Sequence, residues 1–176
     1  MRILISLLLL TAPLVHAQAV LVDRIVATVD NRAITRSELD ARAERSKSSR
    51  DAALDELINE YLIAKDAISK SITISDEEVD KAIQMVMDQN KISKEEFQQA
   101  LVAQGYTLEG YRTSIGLQLL EFRWLAIRTS AMEKPSDEAA RAKFFADQKK
   151  RFVTELRTKA SITSADKSAG AVEVRP

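Results

Sequence analysis

The side chains of this 176-residue chain that can do chemistry are carboxylates, hydroxyls and amines, because it has no cysteine and its single histidine is His16. Beyond residue 16 that distribution excludes Ser-His-Asp and Cys-His nucleophile systems, imidazole acid–base work and the usual zinc ligand sets. Paired carboxylates, as in glycoside hydrolysis, and oxygen-ligand metal sites are what is left. The Asp and Glu residues, however, fall mostly at helix starts and on polar helix faces. Gly105, Gly110, Gly116 and Gly170 lack the spacing of a dinucleotide- or phosphate-binding loop. No catalytic, cofactor-binding or metal-ligating residue is therefore assigned, and the chain reads as a non-enzyme.

Compartment and charge narrow the partners. Arg2, an apolar run over residues 3–10, Pro13 and the small residues Ala17 and Ala19 have the layout of a secretory signal peptide over residues 1–19, with cleavage after Ala17 or Ala19. The apolar run is far shorter than the ~20 residues of a spanning helix. The chain is expected to be exported. Removing residues 1–19 takes away Arg2 and no acid, leaving 25 basic against 26 acidic side chains. That balance implies neither nucleic acid nor an anionic membrane as partner. The remainder suits one domain, residues 20–163, with a core of its own, followed by a small, polar, unpatterned tail over 164–176 expected to be disordered.

The elements that must position any site are helices around a small sheet. Ile25, Ala27 and Val29 alternate with Val26 and Thr28, a strand pattern. Asp30 and Asn31 suit a tight turn into a second strand at 32–34. A two-stranded hairpin alone is marginal, so it is expected to pack on helices or to recruit a third strand, for which residues 160–163 are the late candidate. Thr35, Ser75 and Ser93 each precede a Glu by three residues, at Glu38, Glu78 and Glu96, which is the capping-box spacing for a helix start. A second helix, about 51–70, carries Leu54, Leu57, Ile58, Tyr61, Leu62 and Ile68 as its core face. A third presents Val79, Ile83, Val86 and Met87, and a short fourth presents Phe97, Ala100 and Leu101 before Gly105. The fifth, about 108–128, has two stripes: Leu108, Tyr111, Ile115, Leu119 and Phe122, and almost opposite them Leu117, Leu120, Trp124 and Ile127. A helix apolar on two sides is expected to be a buried central post. After a linker over 129–135, a last helix over 136–159 carries Ala142, Phe145, Phe152 and Leu156.

The ordered series VDRIVATV (22–29), AITRSEL (33–39), LINEYLI (57–63), ISDEEVD (74–80) and GYTLEGYR (105–112) resembles the N-terminal region of the SurA family of periplasmic chaperones over roughly residues 20–130. The segment KRFVTELRTKASIT (150–163) is similar to the closing helix and strand of that family. The resemblance implies a mainly α-helical domain of about six helices with a β-hairpin completed by a C-terminal strand, closed by residues 136–163. It also implies the periplasm as the location and ATP-independent binding of unfolded exported or outer-membrane proteins. In SurA, parvulin prolyl isomerase domains separate the two segments. Here the connection is seven residues and no histidine follows residue 16, so prolyl isomerase activity is not carried over.

An unfolded client needs exposed apolar surface. Met85 and Met87 offer adaptable thioethers, and Phe97, Tyr106, Tyr111 and Trp124 offer aromatic area. Trp124, Phe97 and Tyr111 lie at helical spacing, where core packing is the commoner use. Met85 and Tyr106 fall outside the stripes. A second reading has the same groove holding one dedicated envelope partner, or a second copy that exchanges the last helix across the 129–135 linker.

Overall fold

The structure, a computed structural model, describes residues 23–164; the signal segment 1–19 and residues 165–176 of the expected tail lie outside the described residues. The β-branched run forms β1 (Ile25–Val29), and Asp30, at φ 52°, turns the chain into β2 (Arg32–Thr35). Short polar side chains tolerate that left-handed conformation. Of the two ways to stabilise the hairpin the fold uses a third strand, β3 (Ile162–Ser164), which starts two residues later than the candidate 160–163 and runs antiparallel to β1, so the sheet order is β2-β1-β3. Ser164, assigned to the tail by composition, instead pairs with Ala27.

Asp30 fastens the ends of the fold together. Its backbone N–H donates to the Ser161 carbonyl at 2.7 Å, while its carboxylate accepts from Ser161 N–H at 2.9 Å and from Lys65 Nζ at 2.7 Å. The Lys65 bond, then that from Ser161, holds the Asp30 carboxyl below its ordinary pKa. Ala27 and Val29 are buried as the alternation predicts, but Ile25 is half exposed. A register shift between Ile25 and Ala27 breaks the alternation there.

Among the described residues six helices follow: α1 (Arg36–Ser46), α2 (Arg50–Ser69), α3 (Asp76–Asn90), α4 (Lys94–Ala103), α5 (Leu108–Arg128) and α6 (Glu138–Lys159). Each starts on a side chain that accepts a first-turn N–H: Thr35, Ser49, Ser75, Ser93, Thr107 and Asp137. Such a cap contributes ~1 kcal/mol. The reciprocal box forms at Ser75/Glu78 and Ser93/Glu96. At Thr35 only one half is seen, since Glu38 is paired instead with Arg32 at 2.5 Å.

Among the described residues the core has three parts. The sheet, α1 and α2 as far as Leu62 enclose Val29, Ile34, Leu39, Leu57 and Leu62. The end of α2, the second half of α5 and α6 enclose Ile63, Ala67, Trp124, Phe152 and Val153. The helices α3 and α4 and the first half of α5 enclose Val79, Ile83, Met87, Phe97 and Leu101. The two stripes of α5 are thus used at different ends. Tyr111, Ile115 and Leu119 face α3 and α4, whereas Leu120 and Trp124 face α2 and α6.

Four sequence expectations need correction. The α5 helix is central but not enveloped, because Phe122 continues the first stripe and is 74% exposed, Ile127 is half exposed and Leu108 is exposed. Ile68, placed on the core face of α2, is 68% exposed at the last turn. Ala142 on α6 is exposed, and Phe145 is half-buried and set edge-on to Phe144 at 5.4 Å. The last helix also starts two residues later than expected, capped by Asp137.

The closing helix docks through polar contacts as well as Phe152 and Val153. Arg157 donates to Asn59 at 2.6 Å and to Asp55 at 2.7 Å on α2, and Lys149 pairs with Glu121 on α5 at 2.5 Å. Arg128 sits 5.3 Å from the Trp124 ring and 4.2 Å from the Phe152 ring, and pairs with Asp66 at 3.1 Å and Glu155 at 3.2 Å.

Candidate functional site

The surface best able to receive another chain lies where α2 stops. Ser71 takes φ 56°, and Ile72 N–H returns to the Ala67 carbonyl at 2.9 Å, which buries Ile72 and swings the chain away from the helix axis. Residues 73–75 then run to the Ser75 cap of α3, leaving Ile68 uncovered. Across this bend passes α5, stapled to α3 by two arginines. Arg123 donates to the Thr73 carbonyl at 2.5 Å and pairs with Glu78, while Arg112 pairs with Asp80 and lies 3.8 Å from Asp76.

Between these staples is an open cleft of ≈ 400 Å³. Its apolar wall is Ile68, Ile72, Ile74, Val79, Leu117 and Leu120, with Asp76, Glu109 and Arg112 at its margin. That volume lies within the ~300–1,000 Å³ of ordinary ligand sites, which are mostly apolar with a few polar groups. The electrostatics are local. The hydrogen bond from Arg123 holds the Glu78 carboxyl below its usual pKa, and the bond to Asp80 raises Arg112 above its usual value, helped by the charges of Asp80, Asp76 and Glu109.

Gly116 forms part of the cleft in the middle of α5. A mid-helix glycine costs ~1 kcal/mol relative to alanine. Packing does not demand it, since a Cβ there would meet Val79 Cγ2 at 3.6 Å, an ordinary contact. Gly116→Ala is therefore expected to raise stability by ~1 kcal/mol while taking space from the cleft. Urea denaturation checks this, and destabilisation would show that the α3–α5 approach is tighter than 3.6 Å suggests.

The candidates read from the sequence are not brought together as one surface. Phe97, Tyr106 and Tyr111 do meet, with ring centroids 5.3 Å apart for Phe97–Tyr111 and 6.3 Å for Tyr106–Tyr111. Phe97 and Met87 are buried in that cluster, while Tyr111 and Tyr106 are half-buried. Trp124 is fully buried elsewhere, edge-on to Phe152 at 6.0 Å. Met85 is exposed on α3, outside the cleft wall. The sequence reading missed Gly116 as a cleft residue and took Ile68, Leu117 and Leu120 as core. The available signals were a glycine inside α5 and an isoleucine at the last turn of α2.

Among the described residues no group of three or more His, Cys, Asp or Glu side chains could hold a metal ion, and no helix is long and apolar enough to cross a membrane.

Comparison with known proteins supplies the family. The SurA-like N-terminal domain matches residues 1–124. Chaperone SurA of Saccharophagus degradans is 33% identical over 122 residues, covering 61% of this chain and 28% of that protein. Chaperone SurA of Pseudomonas syringae pv. tomato is 29% identical over 161 residues, covering 84% of this chain and 38% of that protein. The chain thus spans about a third of the length of these curated relatives. A solved SurA-like chaperone of Campylobacter jejuni has the same fold, at TM-score 0.51 and 22% identity over 84% of this chain and 68% of that one. With the family matching 124 of 176 residues, six helices and a three-stranded sheet closed by β3, this chain belongs to the SurA-like N-terminal domain family.

Proposed function

We propose that this chain is an ATP-independent periplasmic chaperone that holds unfolded or partly folded exported proteins, outer-membrane proteins among them, in the cleft between α2, α3 and α5. The observation that carries the reading is the uncovered Ile68 at the mouth of a ≈ 400 Å³ apolar cleft in a SurA-like fold. The relatives are named chaperones, and the similar Campylobacter jejuni proteins are described as SurA-like chaperones, one of them as periplasmic. The export layout of residues 1–19 agrees with that compartment.

Magnitudes favour weak, multipoint capture. Burying one aromatic side chain removes ~150–250 Å² from water, roughly 4–6 kcal/mol gross at ~25 cal/mol/Å². Association costs ~4–15 kcal/mol before any ordering of the client. One anchor does not hold an unfolded chain, whereas several shallow contacts along a groove give reversible binding without a nucleotide cycle.

No proline isomerisation is assigned to these residues. The described residues contain neither histidine nor cysteine, and only residues 129–137 connect α5 to α6. The purified chain is expected to suppress aggregation of a urea-unfolded outer-membrane protein at a small molar excess and to leave prolyl cis/trans rates at the uncatalysed value. Aggregation unchanged by the chain rejects the chaperone reading, and catalysed isomerisation free of contaminants rejects the non-enzymatic one.

A further inference from the structure

The cleft margin is electrically one-sided. Its charged residues are Asp76, Glu109 and Arg112. Arg112 is only 26% exposed and is already committed to Asp80, with Asp76 at 3.8 Å. Glu109 also acts on Arg112 by its charge, so one guanidinium faces three carboxylates. Asp76 is 95% exposed and Asp80 60% exposed, whereas the Glu78 carboxylate nearby is spent on Arg123. A client segment lying in the apolar cleft therefore meets surplus negative charge at this end, open to solvent and available to a cation.

We infer that the cleft selects apolar segments flanked by lysine or arginine and discriminates against those flanked by aspartate or glutamate. The inference rests on the proposed cleft binding and adds the chemistry of the occupant. The apolar wall supplies the contact, and Asp76 and Glu109, left over beyond the Arg112–Asp80 pair, supply the sign. Exposed pairs are individually weak and screened by salt, so the selection is a bias among clients, largest at low ionic strength. A like charge at the same margin is repelled, which gives discrimination from both sides.

Three labelled synthetic peptides test this, each with the same four-residue aliphatic core and with pairs of lysine, serine or glutamate at both ends. Fluorescence anisotropy with the wild-type chain at about 0.01 M salt, where the Debye length is ~30 Å, is expected to rank them lysine, serine, glutamate. The extremes should differ about three- to tenfold in Kd, as one or two surface pairs imply. In about 1 M salt, with a Debye length of ~3 Å, the three should converge. Asp76→Lys combined with Glu109→Lys, both at exposed positions, should reverse the order. Equal affinities at low salt, or an order unchanged in the charge-reversed variant, overturn the charge selection. The cleft itself is judged separately by Ile68→Asp. If the three peptides bind equally but all lose affinity in Ile68→Asp, the selection fails and the cleft stands. If none binds, or Ile68→Asp changes nothing, both fail.

Discussion

Trp124→Ala is expected to cost about 3–5 kcal/mol of folding free energy, the range for removing a large buried aromatic, read as a lower urea midpoint with an unchanged slope. Trp124 is fully buried at the meeting of α2, α5 and α6. Its loss leaves a cavity beside Phe152 and removes the indole N–H that donates to Asp66 Oδ2 at 2.7 Å. Burial pushes the Asp66 pKa up, but hydrogen bonds from Lys70 and Trp124 and the charges of Lys70 and Arg128 outweigh it, so the folded value lies below the ordinary one. A depressed carboxyl pKa stabilises above the unfolded value of ~3.9 and is lost as pH falls through the lower folded value. Wild-type stability should accordingly decline below about pH 4, and the part of the variant's deficit owed to the indole–carboxylate bond should shrink there. An unchanged midpoint at neutral pH would remove Trp124 from the core.

Deleting residues 136–176 is the second large perturbation. It takes away α6 and β3 together, so Phe152, Val153 and Leu156 leave the core, Trp124 and Ile63 lose their cover, and β1 loses a neighbour. Asp30 loses Ser161, and Asp55 and Asn59 lose Arg157. Exposed contiguous apolar surface of this kind drives association. The truncated chain is expected to aggregate or to lose its sharp thermal transition. A soluble, cooperatively melting truncation would show that α6 is an appendage, not the closure of the domain.

Much of this architecture was legible because local signals agreed. The apolar stripes of Leu108–Arg128 end where the helix ends, Ser75 and Ser93 start helices through complete boxes, and the marginal stability of a lone hairpin makes a late strand one of two expected partners, met by Ile162–Ser164. The failures share a cause: periodicity marks an apolar face without saying where its neighbour ends. Phe122 extends the stripe of Tyr111 and Ile115, yet it is left open to solvent. Ile68 is in phase with Leu57 and Tyr61, yet the turn at Ser71 carries the chain away from it. The same uncovering creates the cleft, which is why the candidate site was the least legible part. Aromatic and sulfur side chains were natural candidates for ligand contact, but Met87, Phe97 and Trp124 are used to build the walls that hold α5 in place.

Site-specific photocrosslinking to an unfolded outer-membrane protein tests most directly whether unfolded clients enter the cleft between α2, α3 and α5. A photoreactive residue at Ile68 or at Thr113, both lining the cleft, should capture the client. One at Val102, which is 74% exposed on α4 and outside the cleft, should not. Capture at Ile68 and Thr113 with little at Val102 is the predicted result; equal capture at all three, or capture at Val102 alone, would contradict it.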